Sequence, residues 1–387
     1  TDGTVKKTAD RSHVNKNATQ VKLLKDVEMG SWTLSPTSVA NDFTLDLGGK
    51  TLSGSSTSSY YVLYAGVNMT IKNGTIKYNA SNKGAICVYN GATVTIDGDA
   101  TIDGGSGIGI MMQDEKPSHV VLNGTVTTTG EYGFASNGSE NADGKPDTCN
   151  ITVNADAKIE APNGFAIYHP TLGTVTVNGG EISGHTGIEL CAGKLVVKGG
   201  SITSTGDNWD ATGSQNAILD GAAISIINRD YPGGTPTAEI TGGTFTANGN
   251  GAQTVKAYDY TGNTVAEWSN VSESVNISGG TFSSIPDNMD ALCADGYVPV
   301  KNANGYTVAE GTYVAEVGGK KFASLAEAIE AAASGATVKL LDNVDLTETL
   351  IVKGKTITLE LNGKTISNSA DLWNDVTAND WSLISVR

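Results

Sequence analysis

The sequence predicts an all-β protein, a right-handed parallel β-helix with three short strands per turn and about ten turns. Two observations carry this prediction. A phrase of two short apolar strands around a glycine corner recurs along the chain, and a third short run, usually led by glycine, follows most copies. Val, Ile and Thr favour strands, and glycine accepts the positive φ of a sharp corner. Parallel neighbours need a crossover connection, which the rest of each turn supplies, and such crossovers are right-handed.

The clearest copy of the phrase occupies residues 174–183. Val175 and Val177 alternate with polar residues, Gly179-Gly180 forms the corner, and Ile182 follows. Further copies lie at 195–202, 239–245 and 275–282, with looser ones at 45–52, 69–76, 94–102 and 120–126. Such recurrence predicts a solenoid in which each turn buries its apolar face against its neighbours. The turns are expected to begin near residues 21, 43, 68, 92, 119, 150, 173, 193, 237 and 274.

Asn or Asp often stands just before the glycine corner. In turns stacked in register these side chains would lie one above another and form a hydrogen-bonded ladder. Later turns carry Lys198, Thr241 and Ser278 at this position, so we expect the ladder to be partial. Its predicted members are Asn73, Asp97, Asn123, Asn154 and Asn178.

Composition excludes several classes of partner. The 48 glycines among 387 residues exceed the usual share of about 7%. A net charge of −16 without a basic stripe argues against nucleic acid, and no run of 18 apolar residues is present to enter a membrane. The polar, Thr/Asn/Gly-rich composition fits an exported bacterial surface protein, so we expect a secreted or cell-surface location. Because Thr1 is not a natural start, we expect a processed or excised form.

The four cysteines share no CxxC spacing, which argues against a zinc or redox site. Their even number allows disulfides, but a long solenoid does not need them, and the sequence favours free thiols. They are Cys87, Cys149, Cys191 and Cys293.

The chain is predicted to hold one whole module and the start of another. Residues 1–20 are polar and aperiodic, a frayed lead-in; residues 21–310 form the first module, and residues 311–387 a cap helix and the first turns of a second, truncated module. In the cap helix Ser324 and Glu327 form a capping box, and Gly335 ends it. Residues 338–344 repeat residues 21–27, and residues 359–367 repeat residues 45–53. We therefore expect a monomeric module within a longer tandem array.

The turn pattern resembles the pectate-lyase-like right-handed β-helix superfamily. Residues 277–283, 291–300 and 305–308 are similar to module junctions in large repetitive surface proteins of gut bacteria, and the predicted helix resembles the cap that opens β-helices in that group. The resemblance implies this fold and extracellular display. The superfamily includes polysaccharide lyases and hydrolases as well as adhesins and passive stalks. This chain departs from the pattern because no cap helix precedes its first turn.

Four insertions interrupt the turns, at residues 137–148, 206–216, 228–237 and 258–273. Three of them follow a third strand and should project from the same edge, which is a common binding face in solenoids. Their aromatic and cationic side chains could stack on sugar rings or anchor a protein interface, or could fold back over the apolar edge of the turn. The candidate binding residues are Trp209, Arg229, Tyr231, Tyr258, Tyr260 and Trp268.

A catalytic site on this fold would require polar side chains on the outward faces of the strands. Successive side chains of a strand point to opposite faces, and Ile188 and Leu190 are expected to face the core, so Glu189 is predicted to face outwards. Tyr168, next to the apolar Ile167, is predicted to face outwards for the same reason. General acid–base chemistry needs two such groups within reach of one substrate. The candidates, which lie on neighbouring turns, are His169, His185, Glu189 and Lys194; surface decoration is the preferred interpretation.

Asp97, Asp99 and Asp103 could bring carboxylates to calcium, but their spacing matches neither the EF-hand loop nor the nonapeptide calcium repeat. Aspartate beside glycine at a corner is ordinary turn chemistry. Ser/His/Asp arrangements, phosphate loops and dinucleotide fingerprints are missing from the sequence, and we predict no cofactor and no metal.

The sequence thus predicts a non-enzymatic module of a bacterial surface protein. It would act as a rigid spacer or adhesin that presents edge loops to a host glycan or surface protein. A carbohydrate-active enzyme, either a polysaccharide lyase or a glycoside hydrolase, is the alternative, and a stalk without a ligand is a third class.

Overall fold

The computed structural model describes residues 19–29, 33–36, 42–55, 61–81, 83–114, 116–141, 143–208, 217–262, 264–286, 288–370 and 382–387. The chain divides into two compact units, Thr1–Asn270 and Val271–Arg387. The boundary predicted between residues 310 and 311 concerns the two modules of the sequence repeat, and it stays a prediction.

The first unit is built from parallel strands, as the sequence predicted for the fold class. Its strands form three ladders. Each turn of the chain adds strand residues to the first, the second and then the third ladder before the next turn begins. The first ladder contains Gln20–Lys22, the first halves of Phe43–Gly54 and Met69–Tyr78, then Thr93–Ile96, Ser118–Leu122, Cys149–Val153, Thr174–Val177, Lys194–Val197 and Thr237–Ile240.

The second ladder contains Val27–Glu28, the second halves of Phe43–Gly54 and Met69–Tyr78, Ala100–Asp103, Thr125–Thr127, the first halves of Lys158–His169 and Glu181–Leu190, then Ser201–Ser204 and Thr244–Ala247. The third ladder contains Tyr61–Ala65, Gly84–Val88, Ile108–Met112, Tyr132–Ser136, the second halves of Lys158–His169 and Glu181–Leu190, then Ile224–Asn228 and Val255–Thr261. The first-ladder strands begin within one residue of the predicted turn starts.

Alternating side chains explain the core of this unit. In Thr174–Val177 both valines are fully buried and both threonines are partly exposed. Val175 lies beside Ile151 on one side and Leu195 on the other, so apolar residues stack on apolar residues from turn to turn. This in-register stacking removes apolar surface from water along the whole ladder.

The glycine corners serve two physical purposes. Gly180 has a φ of 83°, which disfavours other residues, and a Cβ placed there would lie only 2.6 Å from the carbonyl oxygen of Ala157 in the preceding turn. Close stacking of the corners therefore requires glycine for space as well as for φ.

The predicted ladder of corner amides is present in part. Asn154 donates from Nδ2 to Asn123 Oδ1 at 2.8 Å, and Asn178 donates in the same way to Asn154 at 3.1 Å. Farther towards the N-terminus, Asn73 instead donates to Asp46 Oδ1 at 3.1 Å. These side-chain bonds join consecutive turns at the corner, where the backbone leaves the ladder.

All four cysteines are free thiols, and Cys87, Cys149 and Cys191 are buried. As predicted, three insertions follow third-ladder strands that end at Ser136, Asn228 and Thr261. In the last of them, Thr264–Ala266 pairs antiparallel with the end of Val255–Thr261.

The second unit begins with the 3-10 turn Val271–Glu273 and the strands Val275–Ile277 and Thr281–Phe282, followed by the short helix Met289–Leu292 and the antiparallel hairpin Tyr297–Asn302 and Gly305–Glu310. A second hairpin, Ala315–Val317 with Lys320–Phe322, precedes the helix Leu325–Ala331. Three short parallel pairs follow: Thr337–Leu340 with Thr358–Glu360, Val344–Asp345 with Ile366–Ser367, and Leu350–Val352 with Ile384–Val386.

The predicted helix is present as Leu325–Ala331 with Ser324 as its N-cap, but its C-cap is Ala332, so Gly335 does not end it. Ser324 Oγ accepts from the Glu327 N–H, and Leu325, Ala328 and Ile329 are buried against the strand residues of this unit. At the other end of the helix, Lys355 Nζ donates to the carbonyl oxygens of Ile329, Glu330 and Ala332 at 2.6, 2.9 and 2.8 Å. No helix in the described part of the chain has the length and apolarity that crossing a membrane requires.

Candidate functional site

Consecutive strands of the third ladder place four polar side chains in one column. Tyr168 pairs with Glu189, Glu189 with Ser225, and Ser225 with Lys256. The column includes the two residues that alternation predicted to face outwards. We name the surrounding group the third-ladder cluster; its members are Tyr168, Glu189, Cys191, Asp220, Ser225, Arg229, Tyr231, Lys256, Tyr258 and Tyr260.

Glu189 is fully buried, which corrects the expectation of an accessible carboxylate. The chain that follows the second insertion returns over it, and the N–H of Ile218 donates to Glu189 Oε2 at 2.9 Å. Cys191 Sγ donates to Oε1 at 3.3 Å, and Arg229 Nη1 lies 3.7 Å from the same oxygen. Tyr168 is buried for a related reason, since Ile218 and Tyr231 pack in the same apolar cluster.

Burial first, and then the neighbouring charge of Asp220, raise the pKa of Glu189 to about 8, with the hydrogen bond from Ile218 and the charge of Arg229 acting in the opposite direction. Burial also raises the pKa of the Cys191 thiol well above its ordinary value. Neither group therefore resembles a reactive anion at neutral pH.

Asp220 is the second buried carboxyl group of the cluster, and it is 1% exposed. Its Oδ2 accepts from Ser225 Oγ at 2.6 Å and from Tyr258 Oη at 3.2 Å, while Oδ1 accepts from the N–H of Ala222 at 3.0 Å. Lys256 Nζ lies 4.0 Å from Oδ2 and donates to the carbonyl oxygen of Asp220 at 3.1 Å. Asp220 therefore fastens the covering segment to the third-ladder strands below it.

Aromatic rings surround Arg229. Its guanidinium carbon lies 4.8 Å from the ring centroid of Tyr260 and 5.3 Å from that of Tyr231, distances typical of cation–π contacts. Tyr231 Oη lies 3.4 Å from Tyr168 Oη. The Arg229 side chain is only 6% exposed, so its contacts with the tyrosine rings lie in the interior of the insertion.

Four of the six predicted binding residues, Arg229, Tyr231, Tyr258 and Tyr260, meet in the third-ladder cluster. Tyr260 is 3% exposed, whereas Tyr231 and Tyr258 are half-buried. Trp268 is buried outside the cluster, with 4% exposure. Trp209 lies outside the described residues. Tyr260 and Arg229 thus fold back over the turn, whereas binding by the partly exposed rings of Tyr231 and Tyr258 stays a prediction.

The residues of the catalytic alternative have separate roles. His169 is fully buried, its Nε2 2.9 Å from the carbonyl oxygen of Cys149 and its Nδ1 3.3 Å from that of Ala192, and burial lowers its pKa. Lys194 forms an exposed ion pair with Glu239 at 2.8 Å on the first ladder. The ring of His185 lies against Gly206. Together with the burial of Glu189, these contacts give no shared acid–base pair.

The three aspartates weighed for calcium bond to protein groups of their own or the neighbouring turn. Asp97 Oδ1 accepts from the Gly98 N–H at 3.3 Å, Asp99 Oδ1 from the Asn73 N–H at 2.8 Å, and Asp103 pairs with Lys77 at 2.7 Å. Within the described ranges, no group of three or more His, Cys, Asp or Glu side chains is arranged to hold a metal ion.

Sequence reasoning missed Cys191, Asp220, Ser225 and Lys256. The strand register would have pointed to Ser225 and Lys256, because they occupy the Glu189 position in the next two turns. Asp220 lies in an irregular segment without periodicity, so only the fold brings it under Lys256 and Tyr258.

Comparisons with known proteins give one sequence relationship. The chain is similar to the adhesin BmaC autotransporter of Brucella suis biovar 1 (strain 1330), with 27% identity over 310 residues. The alignment covers 70% of this chain and 9% of that protein, so the chain spans less than a tenth of its relative. No protein family description matches the chain, and neither does a solved structure.

Proposed function

We propose that this chain is a non-enzymatic module of an extracellular bacterial surface protein, built as a right-handed parallel β-helix. It would act as an adhesin-like spacer that presents the third-ladder edge to a host glycan or surface protein. The handedness follows from the general sense of parallel crossovers. The similarity to a protein named as an autotransporter adhesin supports the surface role and location.

The convergence of Arg229, Tyr231 and Tyr258 at the third-ladder edge is the observation that carries the proposal. The insertions after the third-ladder strands that end at Ser136 and Asn228 meet there, since a Cβ on Gly138 of the first insertion would lie 3.1 Å from the Tyr231 ring. The rings are held by a buried arginine and a tyrosine pair, so they are presented with little loss of side-chain entropy on binding.

The contacts of the catalytic alternative favour binding over turnover. A general acid or base must reach a proton on the substrate. Glu189 is covered by Ile218 and Arg229, and both ring nitrogens of His169 face backbone carbonyl oxygens.

A binding screen tests this proposal. The purified chain is applied to glycan arrays and to host surface proteins, and Tyr231→Ala is compared with the wild type. We expect binding to fall roughly tenfold or more, as for an interface anchor.

Tyr89→Ala is the matched control, because Tyr89 is also half-buried but packs on Tyr64, at a centroid distance of 5.9 Å, in a different aromatic group. Because Tyr64 and Tyr89 also lie on or directly after third-ladder strands, equal binding by both variants would refute the third-ladder cluster, and not the whole ladder, as the contact surface. Release of unsaturated or reducing sugars, lost in Glu189→Gln or His169→Ala, would establish the enzyme instead.

A further inference from the structure

Lys256 and Asn208 lie in direct contact beside the third-ladder cluster. Lys256 Nζ donates to Asn208 Oδ1, so the amine stands next to the carboxamide carbon. Asn208 follows the second-ladder strand Ser201–Ser204, and Lys256 belongs to the third-ladder strand Val255–Thr261, 48 positions farther along the chain. The contact therefore joins two distant parts of the sequence.

A carboxylate completes the arrangement. Asp220 Oδ2 lies 4.0 Å from Lys256 Nζ, and its side chain is 2% exposed. Ser225 Oγ and the Ala222 N–H hold this carboxylate in place from the other side. The Lys256 side chain is only 15% exposed, and the Asp220 carbonyl oxygen accepts a second Nζ hydrogen at 3.1 Å. Amine, amide and proton acceptor are thus fixed together.

We propose that Lys256 and Asn208 form an intramolecular isopeptide bond with the help of Asp220. Asp220 takes a proton from Lys256, and the neutral Nζ attacks Cγ of Asn208. The Nζ–Cγ bond forms, the Cγ–Nδ2 bond breaks, and Asp220 passes to Nδ2 both this proton and the second proton that Nζ loses, so that Nδ2 leaves as ammonium and a neutral amide remains. The reaction needs no oxidant or cofactor, and the exposed side of Asn208 gives ammonia a path to solvent.

Such a bond would close a long loop across the turns. A covalent link of this kind restricts the unfolded chain and resists the separation of neighbouring coils. It would lock the segment that covers Glu189 onto the third ladder.

Intact mass spectrometry of the purified chain tests the proposal. We expect the wild type to be lighter than its sequence by one ammonia molecule, and proteolysis to yield a branched peptide that contains both Asn208 and Lys256. Lys256→Arg and Asp220→Asn should show the full sequence mass, and circular dichroism checks that both variants fold. We also expect the wild type to unfold at a temperature several degrees above that of Lys256→Arg.

The chain provides its own control pair. Lys116 Nζ donates to Asn90 Oδ1 at 2.9 Å, but Lys116 is exposed, unlike Lys256, and Asp114 bonds to the backbone N–H groups of Asn90 and Lys116. We expect no branched peptide at this pair. A wild type at its full sequence mass would overturn the proposal. So would an ammonia loss that persists in Lys256→Arg, because it would then come from ring closure at an Asn–Gly pair.

Discussion

Glu189 illustrates how a residue at an outward strand position becomes buried. Its neighbours Ile188 and Leu190 point to the opposite face, as strand alternation requires. The chain then returns across the strand, and Ile218 and Arg229 take the place of solvent around the carboxyl group. A buried carboxyl in such a site favours its neutral form.

This burial predicts a pH dependence of stability. The pKa of Glu189 is about 8 in the folded chain and near its ordinary 4.5 when unfolded, so the folded state holds the extra proton between those values. Stability should therefore fall as pH rises from about 5 to about 9, by roughly 2–4 kcal/mol. Glu189→Gln should remove this loss, as measured by urea unfolding at several pH values.

Glu160→Gln serves as the control, because the Glu160 side chain is 44% exposed. Its stability curve should run parallel to that of the wild type. A difference between wild type and Glu189→Gln that stays constant with pH would contradict a raised pKa.

The glycine corner is the element on which the stacking of turns depends. Gly180 and Gly234 both have positive φ, 83° and 78°, but only at Gly180 would a Cβ meet a neighbouring turn. The pair thus separates the cost of the conformation from the cost of the close approach.

Gly234→Ala should lower the free energy of unfolding by about 1–2 kcal/mol, the cost of left-handed φ for a residue with a Cβ. Gly180→Ala should cost a further 1–3 kcal/mol or so, because the methyl group overlaps the Ala157 carbonyl oxygen. Denaturant unfolding of both variants measures the difference. Equal losses would mean that the corners do not stack tightly.

The C-terminus of the helix Leu325–Ala331 is bound by the side chain of Lys355, which lies between the strands Leu350–Val352 and Thr358–Glu360. Lys355 satisfies three carbonyl oxygens at the helix C-terminus, where a positive charge also interacts well with the helix dipole. This contact joins the helix to the segment between the strands Leu350–Val352 and Thr358–Glu360 of the same unit.

Lys355→Met should destabilise the second unit by roughly 1.5–3 kcal/mol, since charged hydrogen bonds are lost and carbonyl oxygens are left without their donor. Amide hydrogen exchange of the helix residues provides the measurement. Lys353→Met, at an exposed position two residues earlier, should leave the exchange rates unchanged. Faster exchange in both variants would point to a general charge effect.

At the scale of the whole molecule, the first unit is a stack in which each turn contacts its neighbours. Stability in such stacks is a sum of turn and interface contributions. Among the residues that the structure describes, Gln20–Lys22 pairs on one side only, with Phe43–Gly54, whereas Cys149–Val153 has a strand on each side.

We therefore expect amide protection to rise from the edge turn to the central turns. Hydrogen exchange measured by mass spectrometry should show Val21 exchanging at least tenfold faster than Ile151, because local opening at an edge breaks fewer contacts. Uniform protection along the ladder would indicate that the unit opens only as a whole.

The sequence by itself determined the repeating framework. Its strand alternation, glycine corners and corner amides specify the turn starts, the stacked apolar columns and part of the Asn ladder, because each follows from local periodicity repeated at a regular interval. The capping box of Ser324 likewise determined the helix.

Only the tertiary structure decided what the insertions do. The insertions and the segment that follows the second of them have no periodicity, so the sequence could not tell that Ile218 covers Glu189, that Asp220 lies beneath Lys256, or that Arg229 is enclosed by tyrosines. Those contacts arise between segments that are far apart along the chain, and the stacking of turns brings them together. Strand alternation specifies which face a side chain occupies, but burial depends on whether another segment later crosses that face.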